Sequence, residues 1–461
     1  MGVHGLTALL RRYAPQSIKS IRTKALSNQV IAFDASCHLN KFVYGEEIHP
    51  HRHVYGFYLM ARYCQMHSIT PIFVFDGAQR IAAKQLEHSR REKSRRKIKP
   101  SLEYERARSM RLATWTNAYR DLSDDAAARI LDQLATPTEY PSTGNNNKNE
   151  SNPVIENQLV ELATNLKHAL KLVQDTEKYT KTVRGLSARE HSVMTSMIRD
   201  RIADTEDALQ ELRNDNEQMV NSLEKRSIRI THALRQECLE FLQTLGFICM
   251  TCENHEAEAM CSELARQNVT TATVTEAQSL VIIDMDALVF GDAPILRYFF
   301  ARNRPILEIN PIIAREQLGF TRDQFIDFCI LCGTDFSGTI QGIGPIRALE
   351  YIRRYGSIEN ILESLSSTKY TPSETFRYKL ARQIYLFFFL ASSLKVFNSL
   401  PPVEPSTLIP PSIDQEKIDE LLRRYDIDPI EADNRLQTIR FQEGASDTFG
   451  TDPFAQTTIK L

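Results

Sequence analysis

Two short apolar runs, each closing on an aspartate, constrain this chain most. Val30-Ile31-Ala32-Phe33 ends at Asp34, and Pro71-Ile72-Phe73-Val74-Phe75 ends at Asp76-Gly77. Between them, residues 54–66 (VYGFYLMARYCQM) read as a buried helix. Strand, helix and strand in that order predict a parallel βαβ unit. Open parallel sheets gather their ligands outside the carboxyl ends of the strands. Both terminal aspartates are therefore candidate site residues.

Similar α/β text returns at 236–300. ECLEFLQTLGF is a helix with a glycine stop, Phe247 to Met250 a strand, and 255–267 a helix opening on HEAEAMC. Leu280 to Ile283 reads as a strand ending at Asp284, with Asp286 two residues on. Helices at 322–334 and 344–355 flank Gln341-Gly342-Ile343-Gly344-Pro345, and another is expected near 414–425. The middle differs. Residues 136–153 (TPTEYPSTGNNNKNESNP) carry three prolines and an asparagine run, and cannot form a core. From 154 to 235 there is no proline. Leu159, Leu162, Leu166, Leu170 and Val173 recur at helical spacing, as expected of one or more long amphipathic helices.

The 461 residues are long enough for two or three structural units, at about 150 residues each. No apolar run nears the ~18 residues of a membrane span; Ile384 to Ala391 stops at eight. No signal-type stretch opens the chain. The eight cysteines then read as reduced thiols. The pairs Cys249/Cys252 and Cys329/Cys332 lie in apolar text, as buried thiols do, and are too far apart for a zinc ribbon. His49, His51 and His53 form the one alternative metal cluster, in a charged loop. Net charge is only −2, but Arg80 to Arg111 holds twelve Lys/Arg against four Asp/Glu, a balance of +8. The rest carries 44 against 54, or −10. A concentrated basic stripe on an acidic chain is a candidate polyanion contact.

The acids at expected strand ends and nearby turns are Asp34, Asp76, Glu256, Glu258, Asp284, Asp286 and Asp335. Asp284 and Asp286, two apart in an extended segment, share a face. Glu256 and Glu258 open a helix, where backbone N–H groups favour carboxylates. Seven converging carboxylates would repel one another and demand cations. Hard divalent ions answer that demand, and a pair roughly 4 Å apart suits phosphodiester cleavage. The Gly-Ile-Gly-Pro turn, followed by Arg347, Arg353 and Arg354, can offer backbone amides to a phosphate.

These motifs together resemble the flap-endonuclease/XPG family of structure-specific 5′ nucleases. MGVHGLTALL is similar to its N-terminal motif, VIAFDAS and PIFVFDG to its two leading Asp motifs, and HEAEAMC to its EAEA motif. DMDALVFG resembles its paired Asp, and QFIDFCILCGTDF with IQGIGPIRALEYIRRYGSIENIL its last Asp and helix-turn-helix. The resemblance covers about 1–110 and 235–365. It implies an α/β, parallel-sheet PIN-like nuclease domain with a helical arch or insert and a C-terminal helix-turn-helix DNA-binding region. The expected divisions are a nuclease region at 1–111, a linker and helical insert at 112–234, and a second nuclease region at 235–310. A duplex-binding region at 311–400 and a partly disordered tail at 401–461 follow.

By the same resemblance the seven carboxylates hold two Mg²⁺ ions, with Mn²⁺ as a substitute. Lys84 and Arg90 act at the scissile phosphate, with Arg91 a rival. Gly2, Arg91, Gly342, Gly344 and Arg347 contact DNA, with K⁺ beside the Gly342–Gly344 turn. Asp327 is read as structural. The implied partner is DNA with a 5′ flap, branch or end, in replication or repair, without a membrane, and the implied place is the nucleus. The chain departs from the family at five points, one being a linker and helical segment at 112–234 longer than a flap endonuclease's arch. Lys84 is one residue off register, and Asn40 replaces a frequent aromatic. Ala277 to Ile283 interrupts the paired-Asp segment, and no QxxLxxFF sliding-clamp motif is clear. The alternative is a catalytically impaired nucleic-acid-binding or scaffold protein on the same fold, acting in RNA regulation.

Overall fold

The alternation of apolar residues along the two leading strands decides how the layers stack. The computed structural model describes residues 3, 5–45, 47–77, 84–118, 131, 153–200, 204–252, 255–275, 285–301, 305–365, 370–386, 388–389, 396–397, 403 and 405–440. The chain forms two compact units: Met1–Glu87 with Ile230–Leu461, and His88–Arg229.

The first unit is built on a seven-stranded sheet. Its strands are β1 (Ile18–Ile21), β2 (Val30–Asp34), β3 (Thr70–Asp76), β4 (Ile248–Cys252), β5 (Ala272–Val274), β6 (Ile295–Arg297) and β7 (Ile306–Ile309). Their order is β1-β7-β6-β5-β2-β3-β4. The pairs among β6, β5, β2, β3 and β4 are all parallel, whereas β7 runs antiparallel to β6 and β1. This is a mixed α/β, mostly parallel fold, as the sequence implied.

Side chains alternate across the sheet. Ile31, Phe33, Phe73 and Phe75 pack with helices Arg52–Met66 and His232–Thr244. Ala32, Ile72 and Val74 face helix Ala257–Arg266 on the other side. Each such fully buried large side chain contributes roughly 1.5–3 kcal/mol. From β2 the chain moves outward through β3 to β4. Helix Ala257–Arg266 then carries it back to β5, on the far side of β2. The direction of winding therefore reverses at β2, the place where open sheets leave a crevice at the strand ends.

The expected strand at Leu280–Ile283 lies outside the described residues; the described strand preceding Asp286 is β5. Beyond β7, helices Pro311–Leu318, Arg322–Cys332, Pro345–Tyr355, Ile358–Ser364 and Tyr378–Leu386 share a further core with the N-terminal helix Leu6–Tyr13. Their starts are locally encoded. Asn310 accepts from the amides of Ile312 and Ile313, and Thr321 with Gln324 makes a capping box. Asp327 is spent within the fold, accepting from Arg382 at 2.7 Å and from the Ile358 amide at 3.1 Å. The expected helix near 414–425 forms at Gln415–Arg424, and a second follows at Pro429–Arg440. Asp428 accepts from the Ile430 amide at 2.8 Å, and Pro429 enters the first turn, so Asp-Pro is the start signal there.

The second unit is helical. Helices Ile98–Ala118, Pro153–Val173, Lys181–Asp200 and Asp204–Ser227 bury two apolar clusters, one around Trp115 and Leu166, the other around Val173 and Leu223. The expected linker 136–153 lies outside the described residues except for Pro153. The expected division at 111/112 falls inside helix Ile98–Ala118; the units part between Glu87 and His88. The reason is packing: Leu112 and Trp115 of that helix lie in one cluster of this unit, Leu102 and Tyr104 in the other.

Candidate metal centre and phosphate contacts

Asp34 ends β2 and caps the next helix, Ala35–Tyr44, accepting from the Cys37 amide at 2.9 Å. One strand over, Asp76 ends β3. Its amide donates to Ser36 Oγ at 2.9 Å and its Oδ1 accepts from the Ala257 amide at 3.0 Å. Arg235 donates to the carbonyls of Asp76 and Gly77 and pins the strand end. That Ala257 amide opens helix Ala257–Arg266, whose cap residue is Glu256 and whose first turn carries Glu258. The positive helix end favours both glutamates. Carboxylate oxygens of Asp34 and Glu258 and the Cys37 sulfur lie within 4.8 Å of one another. Asp34 and Glu258 are only 3% and 5% exposed. The thiol of Cys261 registers the crowding. Burial pushes it well above its ordinary range, and the charges of Asp34 and Glu258, the thiol of Cys252 and the charge of Asp76 push it the same way.

A second group lies beside the first. Asp286 precedes the short helix Ala287–Phe290, is 1% exposed, and accepts from the Tyr385 hydroxyl at 2.8 Å. Burial first, then Asp286, holds the Tyr385 phenol well above its usual range, so it stays a donor. Asp335 is buried next to Phe336, whose ring meets those of Tyr385 at 5.3 Å and Phe290 at 6.2 Å. Lys84 joins the groups. Its Nζ is 2.6 Å from Glu256 Oε2 and 5.2 Å from the centre of the Phe336 ring.

The fold thus brings Asp34, Asp76, Glu256 and Glu258 to neighbouring strand ends, with Lys84 against Glu256. Asp286 and Asp335 adjoin them through Tyr385 and Phe336. Gly2 and Asp284 lie outside the described residues. Arg90 and Arg91 stand on helix Gln85–Arg96 in the second unit, Arg90 exposed and Arg91 half-buried. Gly342 takes a left-handed φ of +84°, and a Cβ there would press on the Tyr370 ring at 3.2 Å. Gly344 caps helix Pro345–Tyr355, and a Cβ there would meet nothing within 4 Å. Arg347 donates to the Gly342 carbonyl and lies 5.8 Å from the Tyr370 ring centre.

The three loop histidines are used separately. His49 stacks on Tyr55 at 4.4 Å, His51 meets the edge of Tyr425, and His53 Nε2 is 3.2 Å from Glu237. Among the described residues the one three-ligand group is Asp34, Cys37 and Glu258. Of the four cysteines in CxxC pairs, Cys252, Cys329 and Cys332 are buried and Cys249 is half-buried. Ser36, Cys37, Phe336 and Tyr385 were missed from sequence. Ser36 and Cys37 follow Asp34 directly, but Tyr385 lies in an apolar run that signals only core. The donor set fits a hard divalent cation, being carboxylates gathered at strand ends.

Known proteins decide what this architecture belongs to. Residues 1–98 match the XPG N-terminal domain and residues 250–335 the XPG I-region.

The chain carries the N-terminal and I-region segments of the XPG family.

Among curated relatives, flap endonuclease 1 of Chlamydomonas reinhardtii is 36% identical over 216 residues, 46% of this chain and 49% of the relative. That of Caenorhabditis elegans is 37% identical over 191 residues, 41% and 48% of the two chains. The chain thus spans about half the length of the curated relatives it matches. In fold it resembles the catalytic core of Rad2 in complex with DNA substrate. Over 94% of this chain and 98% of that one, the TM-score is 0.52 at 14% identity. In another such complex the TM-score is 0.50 at 14% identity, over 95% and 99% of the two chains. Both XPG-family segments lie mainly in the sheet-bearing unit and contain the described acids of the site.

Proposed function

We propose that this chain is a Mg²⁺-dependent structure-specific 5′ nuclease that hydrolyses phosphodiester bonds in flapped, branched or ended DNA during replication or repair, in the nucleus. The observation that carries the reading is the meeting of Asp34, Asp76, Glu256 and Glu258 at adjacent strand ends, with Asp286 and Asp335 alongside. Those six residues and Asp284 would hold two Mg²⁺ ions, or Mn²⁺ in their place. The ions would supply an activated water and neutralise the attacking and leaving oxygens.

The chain's own groups do the rest. Lys84, held between Glu256 and Phe336, keeps a positive charge beside the phosphate as negative charge develops. Tyr385 fixes the direction of the Asp286 carboxylate. The Gly342–Gly344 turn lets a duplex backbone approach without meeting side chains, and Arg347 adds charge; neither reads base identity. A K⁺ at that turn would share the Gly342 carbonyl with Arg347. Arg90 and Arg91, on the basic helix, would add phosphate contacts. Binding should therefore weaken with salt in proportion to the phosphates contacted.

A 5′-labelled flap duplex, incubated with Mg²⁺ or with EDTA, tests the reading. Cleavage that needs Mg²⁺ and disappears in Asp76→Ala and Asp286→Ala supports it. Binding without cleavage by the unaltered chain would replace it with the scaffold alternative.

A further inference from the structure

We infer that Cys37 is a metal ligand: its thiolate joins the Asp34 and Glu258 carboxylates in a mixed sulfur–oxygen site for a thiophilic divalent cation of the zinc or cobalt kind. The inference rests on the reading of those carboxylates as metal ligands, and it adds a soft donor that Mg²⁺ does not use.

Geometry comes first. Asp34 caps the helix on which Cys37 completes the first turn, and the Cys37 amide bonds back to the Asp34 carboxylate at 2.9 Å. That closure brings the Cys37 sulfur and the Asp34 oxygens to the same side, where Glu258 arrives from helix Ala257–Arg266. The three ligand atoms lie within 4.8 Å of one another. Two ligands of one zinc ion can be no farther apart than their summed bond lengths, about 4.5 Å for sulfur and oxygen. The three are therefore within a few tenths of an ångström of sharing an ion.

Electrostatics comes second. Asp34 and Glu258 are both more than nine-tenths buried. Two carboxylates so close and so poorly hydrated favour a cation between them. Cys37 is half-buried, so an ion can reach the group. Thr275 Oγ1, 3.8 Å from the Cys37 sulfur, donates to it.

Ligand chemistry then selects the ion. Carboxylates alone suit Mg²⁺, whereas a thiolate shifts preference to zinc and cobalt. On binding, the Cys37 S–H bond breaks, its proton goes to solvent, and a metal–sulfur bond forms with no change of oxidation state. Cys261 is fully buried, whereas Cys37 is half-buried and lies in the three-ligand group.

The test uses the full chain stripped of metal and titrated with Co²⁺, read by the near-ultraviolet sulfur-to-cobalt charge-transfer band. The unaltered chain and Cys249→Ser should show the band, and Cys37→Ser should lose it. Calorimetric Zn²⁺ affinity should fall about tenfold or more in Cys37→Ser. No band in the unaltered chain, or a band that survives Cys37→Ser, overturns the proposal. Should Cys37→Ser fail to fold by circular dichroism, the unaltered chain answers through alkylation. Zn²⁺ should protect Cys37 from iodoacetamide and Mg²⁺ should not; equal rates with the two ions overturn the proposal. Mg²⁺-dependent flap cleavage without a band leaves the nuclease reading standing and this one fallen. A band without cleavage gives the converse.

Discussion

Two buried groups of charge in this molecule are built on opposite plans. In the helical unit, Glu105, Arg108 and Glu190 are fully buried and Arg111 nearly so. Arg108 Nε donates to Glu190 at 2.8 Å, Arg111 grips the same carboxylate at 2.9 and 3.0 Å, and Arg108 also pairs with Glu105. Ser187 and Asn216 occupy further donors and acceptors. Two acids meet two bases, and the protein supplies every counter-charge. At the strand ends of the sheet unit, Asp34, Asp76, Glu256 and Glu258 lie together with Asp286 and Asp335 alongside, and among the described residues Lys84 pairs with Glu256. A buried network of matched acids and bases holds helices in register, whereas a cluster rich in carboxylates suits a divalent cation.

The same change, carboxylate to amide, should separate the two plans most sharply. Asp34→Asn keeps the helix cap but removes the charge. Cleavage of the flap substrate should fall by at least ~10³-fold, because metal-supplied stabilisation is worth several kcal/mol. Thermal unfolding in EDTA should show no loss of stability, since one of two close buried negative charges is gone. Glu190→Gln should do the reverse. It strands Arg108 and Arg111 in a dry interior and should cost about 3–5 kcal/mol in denaturant unfolding of the helical unit. Destabilisation by Asp34→Asn in EDTA, or none by Glu190→Gln, would break the comparison.

Next in size is Lys84→Met. It keeps the apolar stem and removes the cation that pairs with Glu256. Cleavage should drop roughly 10²-fold, as for loss of one preorganised charge, with little change in melting temperature. A rate within threefold of the unaltered chain would show that Lys84 only neutralises Glu256.

The sheet and most of its acids were legible in the sequence because period-two burial and strand-terminal aspartates are local signals. Ile31, Phe33 and Ala32 already announce two faces, and Asp34 announces where they stop. The division of the chain was harder to read. The basic stripe runs without a break from helix Gln85–Arg96 into Ile98–Ala118, so charge hides the change of packing partner. The buried ion network was illegible for a related reason. Glu105, Arg108 and Arg111 at spacings of three look like any solvated helical face until Glu190, some 80 residues away, arrives to bury them. Long-range partners leave no trace in a local pattern, and Tyr385 is the same case within the site. Its neighbours are apolar, so nothing nearby says that its hydroxyl serves Asp286.

That hydroxyl sets the smallest effect and the finest test. Tyr385→Phe keeps the ring packed on Phe290 and Phe336 and removes one donor from Asp286 Oδ1. A hydrogen bond to a charged acceptor is worth about 1.5–3 kcal/mol, but Asp286 gains freedom to face a cation instead. The stability loss in EDTA should therefore stay near 1 kcal/mol and shrink as Mg²⁺ is added. If Tyr385 aims the carboxylate, the Mg²⁺ concentration for half-maximal cleavage should rise several-fold while the rate at saturating Mg²⁺ stays within about threefold, as outer-shell partners of metal ligands do. An unchanged Mg²⁺ requirement would place Tyr385 with the ion network of the helical unit, as a group that satisfies a buried charge, and not with the acids whose direction the chemistry needs.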